Sequence, residues 1–287
     1  MLQSRIKKLS DIEDAAMAKK ETTDLQIIEV ERGQIDYCIL GRTPLILNRM
    51  SEKAMRQLIS PPPKKTKGQL QETLKHDPYA EFLASAYTDD NPNGPTLITH
   101  LATAFKRAMS SAALDIPGAT KSQIGRLSWV EGERLPIFGI PQMLMSVVRN
   151  SDANHTPDIR TRVIMPKWAC RITVTYTKPL LNETNVTNLL VTAGMTQGVG
   201  DWRTQKGSGT YGSFDIVSAD NPDYKFLLKN GTRKLQQAAM DSPVAYDRET
   251  EELYAWALAE AAKRGKSDML TAEKSKRSKP KAVKVAV

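Results

Sequence analysis

Residues 198–212 read Gly198-Val199-Gly200-Asp201-Trp202-Arg203-Thr204-Gln205-Lys206-Gly207-Ser208-Gly209-Thr210-Tyr211-Gly212, and the last six match the G-x-G-x-x-G pattern of nucleotide-binding loops. The flanks of this segment decide its meaning. A dinucleotide fingerprint needs a strand before it and a helix after it, so that the helix N-terminus meets the pyrophosphate. Here the order is reversed. Asn182 is placed to cap a helix striped by Val186, Leu189, Leu190 and Ala193, and Phe214-Asp215-Ile216-Val217 reads as a strand. Kinase motifs that would accompany a glycine-rich loop are missing. Gly265-Lys266-Ser267 has Glu260 where a P-loop needs its first glycine.

Outward from the loop, the longest alternating run is Trp168, Cys170, Ile172, Val174 and Tyr176, a strand by its period of two. Ile35, Tyr37 and Ile39 give a first strand, followed by Gly41-Arg42-Thr43-Pro44 and the apolar Leu45-Ile46-Leu47. Ser51 is a candidate N-cap for a helix that stops at Pro61-Pro62-Pro63, and Asp77 to Tyr87 reads as a further helical stretch. Leu97, Leu101, Ala104, Phe105, Ala108 and Ala112 predict the clearest helix, with Lys106 and Arg107 pointing away and His100 on its surface. Residues 122–149 read as strands and turns, with Met143, Met145 and Val147 alternating, and 247–264 as an Ala-rich helix with Leu253, Trp256 and Ala257 inward.

The resulting order is strand, helix, strands, strand, helix, glycine loop, strand. It predicts an α+β fold with a ferredoxin-like, RRM-type βαββαβ core and an insertion over residues 60–95. The expected organisation is a charged N-terminal segment (1–26), a core (27–230), a C-terminal helix (246–264) and a basic disordered tail (265–287).

The 287 residues are enough for a sizeable core, no apolar run is long enough to span a bilayer, and the start lacks a secretory h-region. A cytoplasmic protein without a membrane segment is expected. Cys38 and Cys170 fall in strand patterns and read as two buried thiols in a reducing compartment. The histidines His76, His100 and His155 are scattered, so no metal site and no cofactor are expected. The net charge of +9 is concentrated at one end: from Lys263 onward there are nine Lys or Arg against Asp268 and Glu273. Charge therefore establishes a basic tail, not a polyanion-binding body.

A glycine-dense connection is explained either by a tight irregular turn or by another backbone coming close to it. Trp202, Arg203 and Lys206 on such an arch suit a phosphate chain with a base stacked beside it. At these residues the chain resembles the RAMP superfamily, RRM-like proteins that form CRISPR effector backbones and crRNA-processing nucleases. The resemblance rests on Thr43-Pro44-Leu45-Ile46, on Phe105-Lys106-Arg107-Ala108 and on the loop, where Gly198-Val199-Gly200 and Gly207-Ser208-Gly209 flank a basic spacer. That spacer has six residues, and Ser208 stands where the family usually has a hydrophobic residue. Pro44-Leu45-Ile46, Asp158-Ile159-Arg160, Trp168, Gly200-Asp201-Trp202-Arg203 and Gly212-Ser213-Phe214 also resemble a group of tailed-phage proteins.

The resemblance implies a non-catalytic, single-stranded RNA- or DNA-binding protein that assembles as a homo-oligomer or filament on its strand. It implies phosphate contacts from Gly198, Gly200, Gly207, Gly209, Gly212, Lys106, Arg107, Arg203 and Lys206. It implies base stacking on Trp202 and Tyr211, with Arg160 and Arg162 extending the basic track. Each arginine also has a structural reading; Arg160 and Arg162 are placed to pair with Asp152 or Asp158. Two alternatives stay open. One is a structural or inhibitory protein-binding role, and the other is a metal-independent endoribonuclease, for which His155 is the loop candidate.

Overall fold

The computed structural model describes residues 28–60, 74–149, 156–206 and 209–264. The N-terminal segment to residue 26, the Pro61–Gly68 loop, His155, Gly207, Ser208 and the basic tail from residue 265 lie outside the described residues. Met1–Glu31 and Arg32–Val287 are separate units, and the second carries the fold.

The strands β1 (Glu31–Gly41), β5 (Ser128–Val130), β9 (Ala169–Lys178) and β10 (Phe214–Val217) form its central sheet, in the order β10-β1-β9-β5. The pairs β1–β10 and β5–β9 are antiparallel, with Ile39 opposite Ile216 and Trp129 opposite Thr175. Alternation gives each strand two faces. Tyr37 and Ile39 of β1, with Cys170, Ile172, Val174 and Tyr176 of β9, enter the main core. There they meet Phe105, Ala108 and Met109 of α3 (Ala102–Ala112) and Val186, Leu189 and Leu190 of α5 (Glu183–Thr192). Cys38 and Leu40 face the other way, against Tyr224 and Leu227 of α6 (Pro222–Asn230). Cys170 is buried, Cys38 is half-buried, and neither is in a disulfide.

A second antiparallel sheet joins β2 (Leu45–Leu47), β8 (Pro157–Met165) and β7 (Gln142–Arg149), in that order. One face (Leu45, Leu47, Met143, Met145, Val163, Met165) continues the main core, and Ile46, Leu144 and Ile164 form a separate cluster that Tyr211 covers. The helix α2 (Pro78–Ala84), capped by Asp77, packs on β8. The third sheet is made of β3 (Tyr87–Thr88), β4 (Ile98–Leu101) and β6 (Arg134–Pro136), with β4 in the middle. The buried amide of Gln236, on α7 (Arg233–Asp241), accepts from the Leu97 and Ile98 N–H groups and donates to the Ile137 carbonyl.

Four expectations change. The helix read from Leu97 starts only at Ala102, because β-branched Ile98 and Thr99 pair in β4 between β3 and β6. His100 accordingly sits in a buried strand instead of on a helix surface. The start of the 122–149 stretch, expected as strands and turns, belongs to helix α4 (Lys121–Leu127), started by a capping box between Thr120 and Gln123. In α8 (Arg248–Lys263), Ala257 is buried as expected, but Trp256 points outward and is 64% exposed. Helix α1 (Glu52–Ile59) begins at its Ser51 cap as the sequence indicates.

Candidate nucleic-acid interface

The glycine segment leaves α5 through a wide turn (Ala193–Gln197), and its first glycine, Gly198, donates its N–H to the Ala193 carbonyl. It then crosses onto the second sheet. Asp201 N–H donates to the Ile46 carbonyl, Gly212 N–H to the Pro44 carbonyl, and Val199 N–H to the Gly212 carbonyl. The two ends of the loop are thus laced to each other and to β2.

This lacing is the purpose the glycines serve. Gly200 and Gly212 have φ of +83° and +71°, a region that disfavours side chains. A Cβ on Gly212 would overlap the Val199 carbonyl, and one on Gly200 would overlap Leu45 and the Ile46 carbonyl. Gly209 lies in the same way against the Trp202 carbonyl. The space that glycine frees at these positions is occupied by the protein's own chain, as the tight-turn alternative for a glycine-dense connection requires.

The loop presents its side chains instead. Trp202 has a φ of +53°, the only positive value among described non-glycine residues, and the residue remains 37% exposed. Such a conformation costs on the order of 1–3 kcal/mol and persists only when its surroundings impose it. Tyr211 stacks on it with ring centroids 6.1 Å apart and planes at 16°. The two rings expected to stack on bases therefore stack first on each other. The Arg162 guanidinium lies 5.8 Å from the Trp202 centroid.

Arg162 differs most from its expected place. Its side chain is 4% exposed, donates to Asp201 Oδ2 at 2.6 Å and to Ser146 Oγ at 2.6 Å, and does not pair with Asp158; Asp152 lies outside the described residues. Burial lowers its pKa, and the Asp201 carboxylate opposes that shift. Asn48 donates to the same Asp201 oxygen at 2.9 Å. The residues Asn48, Asp201 and Arg162 form a junction that pins the loop to β8.

Two clefts meet at this junction. One, of about 400 Å³, is lined by Asn48, Arg49, Arg160, Arg162 and Thr161 together with His76, Glu81 and Asp158. Its acids are already engaged: His76 bonds Glu81 at 2.7 Å and Asp158 at 2.9 Å, and Lys75 bonds Asp158 at 2.6 Å. The other, of about 300 Å³, lies under the loop and brings Gly198, Gly200, Asp201 and Arg203 against Arg107, Asn48, Tyr87 and His100. Arg203 donates to the Gly200 carbonyl and to Gln205. Lys206 is exposed at the end of a short 3-10 turn. Lys106 does not line either cleft; its neighbour Arg107 does.

Sequence reasoning missed Asn48, Arg49, His100 and the pinning role of Asp201. Asn48 and Arg49 follow a strand in an irregular connection with no motif around them. His100 is hidden by the apparent helix that the Leu97 spacing suggests. Among the described residues no group of three or more His, Cys, Asp or Glu is arranged to hold a metal, and no helix is long and apolar enough to cross a membrane.

The chain matches no protein-family model and no curated protein. Among solved structures it is similar to a chain of type III-B Cmr-beta bound to cognate target RNA, at 14% identity over 74% of this chain, with a TM-score of 0.38. It spans 65% of that chain's length. It is also similar to Cmr6 from Pyrococcus furiosus, at 14% identity over 67% of this chain and 100% of the other, with a TM-score of 0.27. Likenesses this distant carry no argument about the site, which rests on its own geometry.

Proposed function

We propose that the chain is a non-catalytic single-stranded nucleic-acid-binding protein with a RAMP-like, ferredoxin-type core. The core reading is supported by strand order. Taking β1, β5, β9 and β10 as the four core strands, with α3 and α5 as the crossover helices, gives βαββαβ with spatial order 4-1-3-2.

The binding reading is supported by one observation: two clefts that share Asn48 are lined by arginines on both sides of the Asn48–Asp201–Arg162 junction. Arg49 and Arg160 lie on one side, Arg107 and Arg203 on the other. Several guanidinium groups in two adjoining clefts, near a partly exposed tryptophan, fit phosphates with a stacked base. Lys206, exposed at the end of its 3-10 turn, adds a further cation on the loop. Assembly on the strand, and a phage origin, belong to the same proposal through the sequence resemblance alone.

A protein-binding role is favoured by one observation, the exposure of Met55, Leu58 and Ile59 on α1. The two readings separate on a simple experiment. Labelled single-stranded RNA and DNA are titrated with the full chain and with a chain ending at Arg264. Binding kept by the shorter chain supports the cleft arginines; binding lost on truncation assigns the ligand to the basic tail. No binding to either chain leaves the protein-binding role.

A further inference from the structure

The helix α1 exposes its apolar face to solvent. Among its described side chains none is buried; Ala54 is half-buried and the rest are exposed. Leu58 and Ile59 are 76% and 87% exposed, and Met55, one turn earlier, shares their face. A helix this short is marginal in water and draws its stability from burying such a face. Its C-terminal end is also unsatisfied. Ser60 N–H bonds the Arg56 carbonyl, but the next donors in sequence would be Pro61, Pro62 and Pro63, which have no N–H. The carbonyls of Gln57, Leu58 and Ile59 are therefore left without an intrahelical donor.

A counterpart lies elsewhere on the same chain. A groove of about 320 Å³ is bounded by the α3–α4 connection, α4 and the first half of α5, with Ile116, Leu127, Leu180, Leu181 and Leu189 in its walls. Leu180 is about half exposed. No charged residue lines the groove, which sets it apart from the two arginine-bearing clefts and leaves nothing in it to hold a phosphate. Its polar lining is amide, from Gln123, Asn185 and Asn188, and amide NH₂ groups donate to carbonyls. No residue of α1 lines it, so the chain does not fill the groove with its own helix.

We propose that α1 of one copy docks in this groove of the next, with Leu58 and Ile59 against Leu127, Leu180 and Leu189 and the groove amides on its last carbonyls. The match decides for a second copy as occupant: an apolar helix end with orphan acceptors meets an uncharged apolar groove with amide donors. A face that binds a different face of its neighbour leaves a free surface at each end, so the contact propagates head to tail instead of closing as a two-fold pair. The first turn of α1, through Ser51 and Ala54, lines the cleft of Arg49 and Arg160, so each docked neighbour sits beside a strand-binding wall. The inference rests on the assembly reading above and gives it a contact.

Sedimentation velocity of the full chain over a range of concentrations tests this. Wild type is expected to form species larger than a dimer as concentration rises. Leu58→Glu plus Ile59→Glu spoils the helix alone and Leu180→Glu the groove alone, all at exposed positions, and each variant is expected to stay monomeric. Mixed together, the two variants are expected to form dimers and nothing larger, because one intact helix and one intact groove remain in each pair. A monomeric wild type, variants that associate like wild type, or a mixture that stays monomeric overturns the contact. Anisotropy with a labelled single-stranded RNA long enough for one copy reads strand binding separately, and both variants are expected to bind it as wild type does. Assembly without any RNA binding upholds the contact and overturns the strand-binding reading; RNA binding by a monomeric wild type does the reverse.

Discussion

Arg162 and Asp201 are joined by a 2.6 Å ion pair that ties strand β8 to the glycine loop, with the arginine almost wholly buried and the carboxylate about one-third exposed. Removing the carboxylate leaves a guanidinium out of water, still donating to Ser146 but without its counter-charge. Asp201→Ala is expected to destabilise the fold by about 3 kcal/mol, read from urea unfolding. Adding Arg162→Met is expected to recover part of that loss. A loss in the double variant equal to the sum of the two single losses would show that the pair does not act as a unit.

The glycines give a second contrast. Gly118 and Gly212 both have positive φ, +87° and +71°, but a Cβ on Gly118 meets nothing within 4 Å whereas one on Gly212 overlaps the Val199 carbonyl. Gly118→Ala is expected to cost about 1 kcal/mol, from backbone strain alone. Gly212→Ala is expected to cost about 3 kcal/mol or more, because the loop must also part from itself. Thermal or urea unfolding of the two variants checks this.

His76 lies between two carboxylates, and its pKa is raised first by the Glu81 hydrogen bond, against burial, with Asp158 adding to the effect. A histidine whose folded pKa exceeds its unfolded value of about 6.5 stabilises fully below that value and loses the contribution as pH rises through the folded pKa. The stability gap between wild type and His76→Gln is therefore expected to be larger at pH 5.5 than at pH 9. A gap independent of pH would contradict the bridging role.

Much of this was legible in the sequence, and the failures have physical causes. Period-two alternation located β9 residue by residue, because Cys170, Ile172, Val174 and Tyr176 all point into one core. Ser51 and Asn182 announced their helices through side-chain caps. The Leu97–Leu101 spacing misled, since residues four apart share a helix face, but β-branched Ile98 and Thr99 had neighbouring strands to pair with. The loop's cations and rings were found from composition. Their supports were not, because Asn48, Arg162 and His100 lie 153, 39 and about 100 residues from the loop positions they serve, a proximity only the fold creates.

Trp202 carries the stacking prediction. Trp202→Ala is expected to weaken single-strand binding about tenfold, and Trp202→Phe by much less, since base–aromatic stacking contributes about 1–3 kcal/mol per base. Fluorescence anisotropy with a labelled oligonucleotide reads both. An unchanged affinity in Trp202→Ala would confine the ring to packing on Tyr211.

The most direct measurement is the salt dependence of single-strand binding for the chain ending at Arg264, with and without Arg203→Ala plus Lys206→Ala. The account predicts that the shortened chain still binds, that log affinity falls linearly with log salt, and that the double substitution lowers the slope by about 1.4. A slope unmoved by the double substitution, or binding abolished by the truncation alone, would contradict it.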